Sequence, residues 1–191
     1  MARGISERTK KLTLGAVLAA MGVVLLTIGA FIEVLDLSMA ALASFFCIFA
    51  VIEMGGGYPI MIYLVTGILS AILMPQSLGA WFYILFFGYY PIIKEKFEAL
   101  SKPVAWILKL IVFNVSVTVY AVISYFLFFG DLEVLLNEFS SLLGGIEVGG
   151  ILIASVYMIL NIVFVIYDFA LTKLITFYLV KLRRRFRFIN K

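Results

Sequence analysis

The sequence predicts an all-α, polytopic integral membrane protein of six transmembrane helices, and three observations predict it. Of 191 residues, 64% are hydrophobic and only 14% charged, too little polar surface to clothe a soluble globule. The apolar residues gather into six runs, most of them near the roughly 17–25 residues that a spanning helix needs. The 15 Lys and Arg all lie where a six-span path returns them to one side of the bilayer, or at that end of a span. The positive-inside rule makes that side the cytoplasm.

Taken in order, Arg3, Arg8, Lys10 and Lys11 precede a first span at Leu12–Ile32. The turn from Glu33 to Asp36 leads to a second span at Leu37–Ile52, and Gly55, Gly56 and Gly57 before Pro59 introduce a third at Tyr58–Met74. Pro75-Gln76 breaks the chain before a fourth at Leu78–Ile93. Lys94, Lys96 and Lys102 then surround the Ser101-Lys102-Pro103 turn, and Val104–Phe129 forms the fifth. The sixth lies within Val148–Val180, ahead of Lys181, Arg183, Arg184, Arg185, Arg187 and Lys191. The second and fourth runs are short and borrow residues from their flanks, whereas the fifth and sixth are long enough to tilt or project. The expected organisation is one domain over residues 1–191, with basic cytoplasmic tails at 1–11 and 181–191, in a plasma membrane. The outer side receives Glu33, Asp36, Asp131, Glu133, Glu138 and Glu147 and no Lys or Arg. A cleaved leader is not expected, because the first run exceeds the 7–15 residues of a signal core.

Between the fifth and sixth spans the sequence predicts a further, extracellular helix. Leu132, Leu135, Leu136, Phe139, Leu142 and Leu143 recur at helical spacing, with Glu133, Asn137, Glu138, Ser140 and Ser141 between them. Asp131 stands as N-cap and Gly144 as stop. Such an amphipathic helix either seals the bundle or acts as a lid over an outward-facing pocket.

Composition also excludes functions. Cys47 is the single cysteine, so no intrachain disulfide and no multi-cysteine metal site forms. There is no histidine, which removes the commonest metal ligand and neutral-pH proton carrier. No phosphate-binding loop, nucleophile–histidine set or deep acidic pair is present, so neither an enzyme nor a cofactor is expected. The net charge of +4 sits beside apolar runs, where it meets lipid headgroups rather than nucleic acid.

Four sets of residues are candidates for function. On the first helix, Ala16 and Ala20 share one face, as do Gly15 and Ala19; small residues four apart let another helix approach closely, within the chain or from a partner. Asn114, Thr118, Ala121 and Tyr125 form a polar stripe on the fifth helix, and Tyr157, Asn161 and Asp168 one on the sixth. These stripes are either interhelical glue or, through Tyr125, Tyr157 and Asn161, contacts to a small molecule. Trp81 and Tyr83, at the outer end of the fourth helix, serve as aromatic walls or as belt residues. Lys109, Asp168 and Lys173 are the charges inside spans; with no acidic or histidine step leading outward, a structural pair is expected rather than a proton relay.

With its size, its six helices and its opening Leu12-Thr13-Leu14-Gly15-Ala16-Val17-Leu18-Ala19-Ala20, the chain resembles the substrate-binding (S) components of energy-coupling factor (ECF) transporters. Their first helix carries an Ala-x-x-x-Ala motif that meets the coupling subunit, matched here by Ala16 and Ala20. The resemblance implies substrate capture near the extracellular surface, at the level of Trp81, Tyr83, Tyr125, Tyr157 and Asn161. It implies as partners a transmembrane coupling subunit and two ATPases. No ligand-specific motif is matched, and the outer half lacks Arg or Lys to grip an anion, so the expected ligand is uncharged. A similar six-helix fold is thought to occur in membrane proteins of the rod-shape system, which keeps open a scaffold without small-molecule substrate. A channel ranks last, because no span has a continuous polar face.

Overall fold

The computed structural model describes residues 2–124 and 150–182, and the side chains within 7–124 and 154–181. Every described element is helical. In chain order they are α1 (Ala2–Phe31), a 3-10 turn (Glu33–Leu35), α2 (Asp36–Glu53), α3 (Tyr58–Leu73), α4 (Leu78–Phe82) running into a π-helical turn (Tyr83–Phe87), α5 (Tyr90–Glu98), α6 (Lys102–Ser124), and α7 (Gly150–Phe177) ending in a second π-helical turn (Tyr178–Leu182). Tyr125 and the expected helix of Gly130–Gly145 lie outside the described residues.

Four helical stretches are long and apolar enough to cross a membrane: Glu7–Phe31, Glu33–Glu53, Lys102–Ser124 and Ala154–Lys181. Their surfaces carry the mark of lipid contact, with Val17, Val24, Ile107, Ile111, Ile159, Val163 and Ile166 among many exposed aliphatics. A water-soluble protein would bury such side chains. The other two expected spans differ. The 16 residues of α3 rise about 24 Å, less than the roughly 30 Å hydrocarbon core.

The fourth run is not one continuous α-helix. It widens to π geometry at Tyr83–Phe87 and restarts at Tyr90. Two residues explain the break. A side chain on Gly88 would collide with the ring of Tyr63, so the chain comes close to α3 there. Pro91 has no N–H to donate and stands in the first turn of α5, where none is needed.

The chain divides into two compact units, residues 1–121 and 122–191. In the first, α2 is central and touches α1, α3, α4, the π turn and α5. Leu18, Ala19 and Leu26 of α1 pack with Ala40, Ala43, Cys47 and Ala50 of α2, Ile62 of α3 and Tyr83 into one buried cluster. Gly55 and Gly56 connect α2 to α3 with φ of +61° and +59°, a left-handed conformation that glycine adopts without Cβ strain. An aromatic seam joins α4, the π turn and α5 to α6: Phe86 meets Phe113 edge-on at 5.2 Å, and Phe82 lies 4.6 Å from Tyr120. In the second unit, α7 buries Phe164, Asp168 and Leu171 at helical spacing and exposes aliphatics around them.

Candidate functional site

The small residues of α1 are divided between two faces. Gly15, Ala19, Gly22 and Gly29 turn inward. A Cβ on Gly15 would lie 3.5 Å from Met54 Cε, and one on Gly22 would lie 2.9 Å from Thr66 Cγ2. A Cβ on Gly29 would crowd Met39 and Asp36. Gly22 and Gly29 thus let α3 and α2 come close to α1, whereas a Cβ at Gly15 would make ordinary van der Waals contact. Ala16 and Ala20 are exposed, in line with Thr13, Val17, Met21 and Val24. Packing inside the first unit therefore accounts for one of the two small-residue lines and leaves the other bare.

At the inward line's far end the chain ties a polar knot. Asp36 is buried at the start of α2. Its carboxylate accepts from the Gly79 N–H at 2.8 Å and from the Ser77 hydroxyl, which lies 3.0 Å from both oxygens. Ser77 also caps α4, its Oγ accepting the Ala80 N–H at 3.0 Å. A side chain on Gly79 would strike the Asp36 carboxylate. Asp36, one of the carboxylates that the sequence assigns to the outer side, is buried and fastens α4 to α2 beside the end of α1.

A second polar chain runs through the middle of this unit. Tyr83 is fully buried and its hydroxyl meets Cys47 Sγ at 3.2 Å and Thr66. Thr66 Oγ1 donates in turn to the Ala19 carbonyl at 3.4 Å. Nearby, the Tyr63 hydroxyl donates to the Ile84 carbonyl at 2.8 Å, a group that the π turn holds off the regular helical ladder. Tyr89 pairs with Ser116 Oγ at 2.9 Å. Toward the basic end, Glu98 pairs with Lys94 at 2.9 Å and Lys109 at 3.3 Å, joining α5 to α6. Both lysines are buried, whereas the Glu98 side chain is 44% exposed.

The expected ligand contacts fall into two groups. Trp81 and Tyr83 belong to the first unit, and both act within it. Trp81 Nε1 donates to the Pro75 carbonyl at 2.8 Å, closing the turn before α4, while Tyr83 is part of the core chain. Tyr157 and Asn161 belong to the second unit, on α7, one turn apart and each partly buried. Asn161 Nδ2 donates to the Tyr157 carbonyl at 2.7 Å. The α6 stripe behaves alike, Asn114 donating to Leu110 and Thr118 to Asn114, each at 2.8 Å. Such back-bonding satisfies part of each side chain's hydrogen-bonding capacity within its own helix.

Among the described residues, no three His, Cys, Asp or Glu side chains gather closely enough to hold a metal ion. Asp36, Ser77 and Glu98 are the structural residues that sequence reading missed. Ser77 carried a signal, a serine after Pro75-Gln76 opening an apolar run, which is an N-cap pattern. No family model, no curated protein and no solved structure matches the chain.

Proposed function

We propose that the chain is the substrate-capture membrane subunit of an ECF-type uptake system. It crosses the membrane six times with both termini in the cytoplasm, the broken α4–α5 run and the short α3 serving as spans. It binds a small uncharged molecule at the extracellular side through Tyr125, Tyr157 and Asn161, while Trp81 and Tyr83 hold the first unit's own framework. A coupling subunit carrying two ATPases then docks on Ala16 and Ala20. The observation that carries this reading is the exposed Ala16–Ala20 line on a helix whose Gly15, Ala19, Gly22 and Gly29 are buried against the rest of the first unit. In lipid, a flat line of small residues is where a second helix gains most from close packing.

Purification from native membranes in mild detergent, with identification of co-purifying proteins and small molecules, tests the proposal. Recovery of two ATPases with a membrane subunit, lost on Ala16→Leu, is the expected result. A ligand that raises the melting temperature of the wild type and fails to do so on Tyr157→Ala or Asn161→Ala completes it. Recovery of membrane partners without any ATPase or ligand supports the second reading, a scaffold of the same fold. One observation favours that reading: Trp81 and Tyr83 are engaged by Pro75 and Cys47, within the protein's own framework.

A further inference from the structure

We infer that a groove at the basic end of α1 binds an anionic glycerophospholipid with a hydroxylated headgroup. The groove is an open depression of about 550 Å³, lined among the described residues by Thr9, Lys10, Thr13, Leu14 and Val17. These residues occupy one flank of the helix, spread over about 12 Å of its length. Their chemistry changes in order along that length: a cation at Lys10, a hydroxyl at Thr13 one turn deeper, then the aliphatic surface of Leu14 and Val17. A phospholipid entering from the adjacent leaflet presents the same order, phosphate, then glycerol, then acyl chain.

The two lysines of this turn have separate roles. Lys11 is turned toward the protein, 3.5 Å from the Met54 carbonyl, 3.7 Å from the Glu7 carboxylate and 5.9 Å from the centre of the Tyr58 ring. The carboxylate of Glu7 is thereby engaged by Lys11. Lys10 is exposed on the groove side and makes no ion pair among the described residues, which leaves its charge available for a phosphate. Thr13 gives its proton to the Thr9 carbonyl at 3.0 Å, so the outward side of its oxygen accepts. A headgroup with its own hydroxyls, as in phosphatidylglycerol, donates to that oxygen; a choline headgroup has no proton to give. A transmembrane helix laid in the same groove would set its apolar surface against the Lys10 ammonium, at a desolvation cost that a phosphate avoids.

This site depends on neither the six-span path nor any partner protein. The test uses the full chain, purified alone and exchanged into detergent containing phosphatidylglycerol and phosphatidylcholine of identical acyl chains. Bound lipid is counted by native mass spectrometry. The wild type is expected to retain phosphatidylglycerol about fivefold over phosphatidylcholine, the preference that one lysine near a phosphate supplies. Lys10→Gln removes the preference and Lys10→Arg keeps it. Val17→Trp, which fills the apolar end, lowers retention of both lipids. Equal retention of the two lipids by the wild type overturns the site, as does a preference that survives both Lys10→Gln and Val17→Trp. So does a membrane protein that replaces lipid at Lys10. Ala20→Leu, outside the groove, leaves lipid retention unchanged even though it is the substitution expected to break docking.

Discussion

The inward and outward lines of α1 share a sequence vocabulary and differ in what they do with it. Gly15, Ala19, Gly22 and Gly29 sit where α2 and α3 come so close that a Cβ on Gly22 or Gly29 would stand 2.9 Å from a neighbouring carbon. Ala16 and Ala20, one residue further round, are exposed among the described residues. Both lines hold small residues four apart, yet the inward one is constrained by sterics at Gly22 and Gly29 and the outward one is free to vary unless something outside this unit needs it. Small residues in a membrane helix thus carry information only once their neighbours are known.

The sharpest way to break this contrast is at the polar knot that closes the inward line. Asp36→Ala leaves the Gly79 N–H and the Ser77 hydroxyl without their acceptor in a buried site, and a loss of about 2–4 kcal/mol is expected. Unfolding of the detergent-solubilised protein by denaturant measures it. Asp36→Asn keeps one acceptor oxygen and is expected to fall between the two. Equal stability of Asp36→Ala and wild type would mean that water reaches the knot.

Next comes Gly22→Leu, which drives a side chain into Thr66 and is expected to cost about 1–3 kcal/mol by overpacking. Tyr83→Phe removes the hydroxyl that links Cys47 and Thr66 while keeping the ring, at about 1 kcal/mol. Thermal unfolding separates them further: the overpacked variant is expected to lose helix contacts at α3, the tyrosine variant only the polar link. An effect of Tyr83→Phe as large as that of Gly22→Leu would make the polar chain, and not close packing, the principal tie.

How far these features were legible follows from the distances over which they are encoded. The helical class, the four helices long and apolar enough to cross a membrane and the position of the Gly55–Gly57 turn are local, written in runs and punctuation that hydropathy and glycine report directly. The two faces of α1 were legible as angles, since Ala16–Ala20 and Gly15–Ala19 each repeat every four residues. Which of them points inward was not, because it depends on Met54, Ile62 and Thr66 about 40 residues away. Asp36 looked like any acidic loop residue; only Ser77 and Gly79, brought near by folding, make it a buried anchor. The break in the fourth run was half legible. Pro91 marks a helix start, but an average over Leu78–Ile93 conceals it, and the demand on Gly88 comes from Tyr63 in another helix.

The smallest expected change in stability belongs to Ala20→Leu, and it is the most informative. Because the position is exposed, the substitution should stay within about 0.5 kcal/mol of the wild type. A leucine there adds a bulk of several ångströms to the bare line, which prevents a partner helix from approaching to small-residue distance. The expected outcome is a protein that melts like the wild type and no longer co-purifies with its membrane partner, while Gly22→Leu melts early and loses the partner only as it unfolds. If Ala20→Leu instead lowers the melting temperature as Gly22→Leu does, both lines are packing surfaces and the asymmetry of α1 disappears. If it changes neither stability nor partner recovery, the outward line faces lipid, and the small residues on it carry no docking function.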